Sequence, residues 1–599
     1  MFAAFSEIRF EDSEFRQPPG CRPSPHCIVS RELRSNRVVH QWVAGSELLP
    51  APASPHLLYS DETDRSLTVT FFGSAEAGCR LALGLPLPSN HLDLYGEFRL
   101  RTCGSPWGRG FGLVDALRYF GIDAFGGGEK AEMRDLAIRG GPFTGEEKRA
   151  LLHYCERDVD ATSRLFLAMQ DKIDLPRALI RGRYVNVVAM MERNGIPVDA
   201  GLLGDLQNNW EEIRRLLISS VDRDYGVFEK GSFKIRRWEE WVTARGIDWP
   251  RLATGKLALD YETFRDVARS YPGVAPMKEL RATLSKLHIE DLPIGPDGRN
   301  RTLLSPFGSR TGRNQPKSSQ FIFGPAKWIR GLIRPPEGKA LAYLDYGHQE
   351  FGIAAALSGD AAMQAAYGSR DPYVAFSISA GAAPAHATAE SHGHVRKLFK
   401  SCVLGMQYAM GAETLARKTK LSIAHARELI DLHRATYPAY WRWSQGVQDY
   451  AAINGELQSA FGWRVRVSDD TNPRFVGNFL VQANGAEMLR LACILASEAG
   501  VKICAPVHDA LLIEADLNEI DAHVALCRSA MCRASELVLA GFPLRIDAKV
   551  IRYPDRFPTS APAMWNQILT ILEQVAPGAG VGRNGTPSVS PGNTRSLFS

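Results

Sequence analysis

Two hydrophobic periods alternate along this chain. Short runs in which apolar and polar residues alternate, SLTVTFFG and HLDLYGEF, lie within the first 175 residues, ahead of a helical segment that starts near Glu146. Period-two alternation marks strands with one covered face, so this region is predicted to be α/β. From Tyr184 the period lengthens. Leu203, Leu206, Trp210, Ile213 and Leu217 step by three and four and predict one amphipathic helix. A Gly-, Pro- and Ser-punctuated stretch follows, then an apolar strand-like run, ALAYLDYG, then mostly helix to about residue 500. ICAPVHDALLIEAD, residues 503–516, predicts two short strands meeting at a tight turn that holds His508 and Asp509. The last stretch, 573–599, is rich in Gly and Pro and is expected to be a disordered tail. No internal repeat is evident.

Composition narrows the class. With 599 residues, two to four domains are expected. The chain is 45% hydrophobic and 23% charged, as ordinary soluble proteins are, and no run of 18 apolar residues suggests a membrane span. The start, MFAAFSEIRF, lacks the basic and apolar segments of a signal peptide. Ten cysteines occur without a CxxC pair, so a zinc site or a disulfide framework is not expected, and reduced thiols in the cytoplasm are. The net charge of +5 is unremarkable, but nine Lys or Arg against one acid, Glu337, lie between Arg299 and Lys339. A basic, loop-rich segment is suited to a phosphate backbone.

Asp509 sits in apolar sequence, where a carboxylate is costly unless paired or metal-bound. Asp345 closes the ALAYL run and is its natural partner. Two carboxylates on adjacent strands offer hard oxygen ligands to two Mg²⁺ ions, an arrangement that stabilises phosphoryl transfer. Between them, Arg396, Lys400, Leu404 and Tyr408 recur every four residues and share one helical face. Two cations, an apolar residue and an aromatic could grip a triphosphate and cover a sugar and base.

These segments resemble the three polymerase motifs of the family A DNA polymerases, the bacterial DNA polymerase I group and its phage relatives. Asp345, Tyr346 and Glu350 are similar to the DYSxxE core. Arg396, Lys400, Gly405 and Tyr408 are similar to RxxxKxxxxGxxY, and Val507-His508-Asp509 to VHD. Thr311-Gly312-Arg313 resembles the TGR that precedes the first motif, and Arg474, Asn478 and Gln482 resemble RxxxNxxxQ. The resemblance implies metal ligation by Asp345 and Asp509, and triphosphate binding by Arg396 and Lys400, with Lys400 also protonating pyrophosphate. It implies nucleotide contacts from Leu404, Tyr408, Glu350 and Tyr346, with Glu350 gating against a ribose 2′-hydroxyl. It implies DNA contacts from Arg313, Arg474, Asn478, Gln482 and His508. Departures are Leu404 for an aromatic, Ala510 for Glu, Gly352 for Arg, Tyr373 for His and Ala409 for Gly.

In the N-terminal region, Asp12-x-Glu14 ends a strand-like run, and Tyr154 and Asp158 stand one helical turn apart. With Asp93 as a further carboxylate, the set resembles the 3′–5′ proofreading exonucleases, in which four carboxylates hold two divalent ions and the tyrosine orients water. The implied architecture is α/β and α+β multidomain. An RNase H-like exonuclease domain (1–175) precedes a right-hand polymerase module (176–572), with thumb at about 200–295, palm at about 296–360 and 455–570, and fingers at about 361–454. Primer-template DNA, deoxynucleoside triphosphates and possible replication accessory proteins are the expected partners of a cytoplasmic monomer. The alternatives are a single-subunit RNA polymerase, or a catalytically silent nucleic-acid-binding protein of the same fold.

Overall fold

The structure, a computed structural model, describes residues 2–44, 65–123, 127–252, 254–286, 289, 292–324 and 326–577. The backbone divides into two compact units. One comprises Met1–Gly195, Leu303–Pro316 and Leu341–Val550; the other comprises Ile196–Thr302, Lys317–Ala340 and Ile551–Ser599.

In the first unit a five-stranded sheet has the order Val38–Trp42, Ser24–Glu32, Glu7–Arg16, Ser66–Thr70, His91–Asp93. The first three strands run antiparallel. Ser66–Thr70 joins Glu7–Arg16 in parallel, and His91–Asp93 follows it in parallel. Phe10, Val29, Leu67, Val69 and Leu92 form the core with Leu151, Cys155, Val159 and Phe166 of the helix Gly145–Met169. That helix starts at a Thr144/Glu147 capping box, which satisfies two otherwise free amides. HLDLYGEF is a strand only as far as Asp93. The carboxylate of Asp93 accepts from the amides of Tyr95 and Gly96, which starts the helix Leu94–Thr102. The helix Leu175–Asn194 passes so close that a Cβ at Gly182 would stand 1.7 Å from the His91 carbonyl oxygen.

A second sheet has the order Lys502–Val507, Ala510–Asp516, Lys339–Tyr346, Ile546–Arg552. The hairpin closes at the Val507–Ala510 pair, with His508 at φ 58° in the turn. Helices Gln349–Ser358, Gly393–Gln407, Ile423–Thr436, Pro438–Asn454 and Pro473–Glu498 accompany it. Contrary to the run-length argument, Pro473–Glu498 is long and apolar enough to cross a membrane. Its most apolar window is 78% buried inside the protein, as a core helix would be.

The second unit corrects two expectations. The stripe from Leu203 to Leu217 is buried throughout but belongs to two helices, Ala200–Asn208 and Trp210–Asp222, because Asn209 leaves helical geometry (φ −110°, ψ 9°). Part of the basic cluster is internal. Arg301 pairs with Asp297 (2.5 Å), Arg334 with Asp199 (3.3 Å), and buried Arg330 donates to the Phe323 carbonyl. These cations are not available to a phosphate backbone. The helix Pro562–Val575 extends into the first residues of the expected tail; 578–599 lie outside the described residues.

Candidate active sites

Asp345, near the end of the strand Lys339–Tyr346, and Asp509, in the turn of the hairpin beside that strand, have side chains close enough to share a hydrogen bond. Two carboxylates can share such a bond only by holding a proton between them. Burial first, and then the Asp509 charge, push Asp345 up to about 8; burial raises Asp509 as well. Asp345 Oδ1 is buried without a hydrogen-bond partner. Asp547, on the neighbouring strand Ile546–Arg552, adds a third charge felt by Asp345. It was not foreseen, since a single Asp in a strand is no signal by itself. Crowded acid oxygens, one of them without a partner, suit a hard divalent cation such as Mg²⁺.

The helix Gly393–Gln407 brings Lys400 near this pair, with Arg396 one turn earlier, and Tyr408 caps its end. Lys400 feels the charges of Asp345 and Asp509; burial, then Arg396, lowers its proton affinity. Arg396 Nε donates to Asp371 Oδ2 at 2.6 Å. His348 Nε2 is 3.7 Å from the same carboxylate, and its ring packs edge-on against Tyr373 at 5.0 Å. Asp371 and His348 were missed because they lie outside the motif positions.

Glu350 lies in a small polar network. Tyr408 Oη donates to Glu350 Oε1 (2.7 Å), and Gln482 Nε2 lies 2.6 Å from that oxygen and 2.9 Å from Tyr408 Oη. Asn478 is also hydrogen-bonded to Tyr408. Arg474, Asn478 and Gln482 stand at four-residue spacing on Pro473–Glu498, so they share a face. Arg313 is close enough to Asp509 and Tyr408 for its charge to act on both. Leu404 is half-buried, and His508 and Arg474 are exposed. Tyr346 departs from its expected role as a nucleotide contact. Strand alternation turns it away from Asp345; it is 1% exposed, and its hydroxyl donates to the Met531 carbonyl.

The departures have local causes. At Gly352 a Cβ would meet Leu544 at 2.5 Å and Tyr367 at 2.8 Å, so an arginine cannot stand there. Ala409 keeps a glycine-like backbone at φ 52°, in a region that disfavours any Cβ. Ala510 is fully buried in its strand.

In the N-terminal sheet, Asp12, Glu14 and Asp158 bring one ligand atom each within 4.8 Å of one another. Asp12 lies within the strand Glu7–Arg16 rather than at its end. Burial, then Asp158 and Glu14, raise its pKa well above the ordinary range. Tyr154 is hydrogen-bonded to Asp158. Asp93 does not join them. Its carboxylate accepts from four amides, those of Phe72 (3.0 Å), Gly73 (3.1 Å) and Tyr95 (3.2 Å) at Oδ1 and that of Gly96 (3.2 Å) at Oδ2. Glu97, four residues further on, is held by Arg181 in a buried pair at 2.6 and 2.9 Å. A further buried acid, Glu76 on the helix Gly73–Ala82, lies outside that cluster and beside Ser13, but is near enough to Asp12 for its charge to be felt. It is 5% exposed, its Oε2 has no partner, and after burial the Asp12 charge is what raises its pKa most. The only sequence signal was a strand, SLTVT, leading into a helix whose first turn holds an acid.

Two neighbouring carboxylates beside a buried lysine, on a mixed α/β fold, are an arrangement suited to metal-assisted phosphoryl transfer. Residues 317–553 match the family model described as DNA polymerase family A. DNA polymerase I of Aquifex aeolicus is 23% identical over 449 residues, covering 67% of this chain and 75% of that protein. The DNA polymerase of Mycobacterium phage D29 is 25% identical over 381 residues, 60% of this chain and 61% of its own. DNA polymerase I of Chloroflexus aurantiacus is 24% identical over 63% of this chain, which spans only 44% of that protein. Among solved structures, the POL domain of Pol1 from M. smegmatis, in complex with DNA primer-template and dNTP, shares the fold with a TM-score of 0.66. It is 19% identical and covers 89% of this chain and 93% of its own.

Proposed function

We propose that this chain extends a primer 3′ end on a DNA template by adding deoxynucleotides. The observation that carries this reading is the Asp345–Asp509 pair facing Lys400 and Arg396. Asp345 and Asp509 would hold two Mg²⁺ ions, which when bound offset charge on the attacking and leaving oxygens. Arg396 would exchange its Asp371 partner for the triphosphate. Lys400, whose hold on its proton is already weakened by burial, would give that proton to pyrophosphate. The Glu350–Tyr408–Gln482 network would lie under the sugar and leave no room for a 2′-hydroxyl. Arg313, Arg474, Asn478, Gln482 and His508 would contact the primer-template duplex.

In this reading residues 176–572 form the right-hand module, with thumb, palm and fingers at the ranges given above, and 1–175 an RNase H-like exonuclease domain. A 3′–5′ exonuclease is a second activity, favoured by the Asp12–Glu14–Asp158 cluster and by Glu76 beside it. Those four carboxylates would hold two divalent ions, and Tyr154 would orient the attacking water.

The test is steady-state extension of an end-labelled primer by Lys400→Ala. Loss of a proton donor is expected to lower kcat by about 10²–10⁴-fold with a smaller change in primer-template KM. An unchanged kcat would contradict the role given to Lys400.

A further inference from the structure

The loop that carries Arg313 is held in a strained shape by residues of the N-terminal region. Ser305 and Phe307 lie at φ 48° and 59°, where a residue with a Cβ is disfavoured, so outside contacts must fix them. Arg99, on the helix Leu94–Thr102, supplies the first. Its Nε donates to the Phe307 carbonyl at 3.2 Å, one Nη donates to the Gly308 carbonyl, and its guanidinium lies 3.8 Å over the Phe111 ring. Cys103, just past that helix, donates to the Arg310 carbonyl at 3.2 Å. Trp463 Nε1 donates to the same carbonyl at 3.1 Å, and Arg490 donates to that of Gly312 at 2.6 Å. The Phe307 ring stacks on Trp463 at a centroid distance of 5.5 Å. The backbone of the loop is thus pinned at four carbonyls, two of them by Arg99. Pinned this way, the Arg313 side chain lies near Asp509 and Tyr408.

We propose that Arg99 is a positioning residue for primer-template binding: it fixes the loop from which Arg313 reaches the duplex, so the N-terminal region is part of the polymerase's DNA site. The inference rests on the polymerase reading above. A charged donor that satisfies two carbonyls of a left-handed segment selects that segment's conformation before DNA arrives, and preorganisation of this kind appears in binding rather than in chemistry.

The experiment uses the full chain and three proteins: wild type, Arg99→Met, which keeps the stem over Phe111 and removes both donors, and Arg99→Lys, which can reach one carbonyl. Primer-template KM, dNTP KM, kcat and thermal unfolding are measured for each. Arg99→Met is expected to raise primer-template KM about tenfold, with dNTP KM and kcat within about twofold, and Arg99→Lys is expected to fall between. A folded Arg99→Met with wild-type primer-template KM overturns the proposal, as does an equal loss in all three parameters. Should Arg99→Met fail to fold, Arg99→Lys decides: a selective rise in primer-template KM supports the proposal, and a wild-type value overturns it. Wild type that extends no primer overturns the polymerase reading itself, an outcome separate from the behaviour of the Arg99 variants.

Discussion

Asp93 and Glu76 show what a carboxylate does when its surroundings differ. Both are buried, yet Asp93 is surrounded by amides, whereas Glu76 lies near Asp12 and Glu11, with Ser13 and Arg80 offsetting them in part. The first arrangement stabilises a helix start and a turn; the second leaves charge that only a cation or a proton can offset. Asp93→Ala is expected to lower stability by about 1–2 kcal/mol, since four amides lose their acceptor. Glu76→Gln is expected to leave stability unchanged or higher and to slow nucleotide-free shortening of a primer by about 10²-fold or more. Thermal unfolding and a shortening assay on both variants separate the roles, and the reversed pattern would restore Asp93 to the site. The sequence favoured Asp93 because it lies in the strand-like run HLDLYGEF, between the Asp12 and Tyr154 motifs. Nothing in the sequence showed that the run stops there or that the amides of Phe72 and Gly73 close on it.

At the scale of the element, the helix Gly393–Gln407 was legible because a four-residue spacing of Arg396, Lys400, Leu404 and Tyr408 has one reading on a helix. The hairpin at His508–Asp509 was legible for the same reason, from two apolar runs split by two polar residues. The helix break at Asn209 was not, since the apolar steps continue across it. The helix Ile423–Thr436 carries a further unannounced feature, His433, fully buried among Phe376, Tyr437, Tyr440 and Trp441. Trp441 Nε1 donates to His433 Nδ1 at 3.0 Å, which requires that nitrogen to be unprotonated. Burial accordingly lowers its pKa to about 3, although the Asp360 charge opposes the shift. The unfolded chain takes up a proton near the ordinary value of 6.5 that the folded chain excludes down to about 3. Stability from this group is therefore complete above about pH 6.5 and lost as pH falls towards 3. In His433→Asn, which can still accept from Trp441, the decline of melting temperature between pH 6.5 and 4.5 is expected to be shallower than in wild type. An identical decline would show that His433 does not contribute.

For the whole molecule, the order of motifs along the chain carried the family, because Asp345 and Asp509 are 164 residues apart and have meaning together only if the fold unites them. The third acid, Asp547, and the Arg99 anchor depend on strand order and on contacts between distant segments, which no local pattern encodes. The basic stretch from Arg299 to Lys339 misled in part for the same reason: charge is visible in sequence, but the acid that neutralises it is not.

The polymerase reading turns on Asp345 and Asp509 acting as a catalytic metal-binding pair. The most direct measurement is extension of an end-labelled primer on a single-stranded template with Mg²⁺ and deoxynucleotides, comparing wild type with Asp509→Asn. Extension by wild type and a loss of at least about 10³-fold in Asp509→Asn are expected, and the melting temperature of Asp509→Asn in metal-free buffer should match or exceed wild type because its amide can donate to Asp345 without the pair having to take up a proton. Extension by a folded Asp509→Asn at near wild-type rate would contradict it.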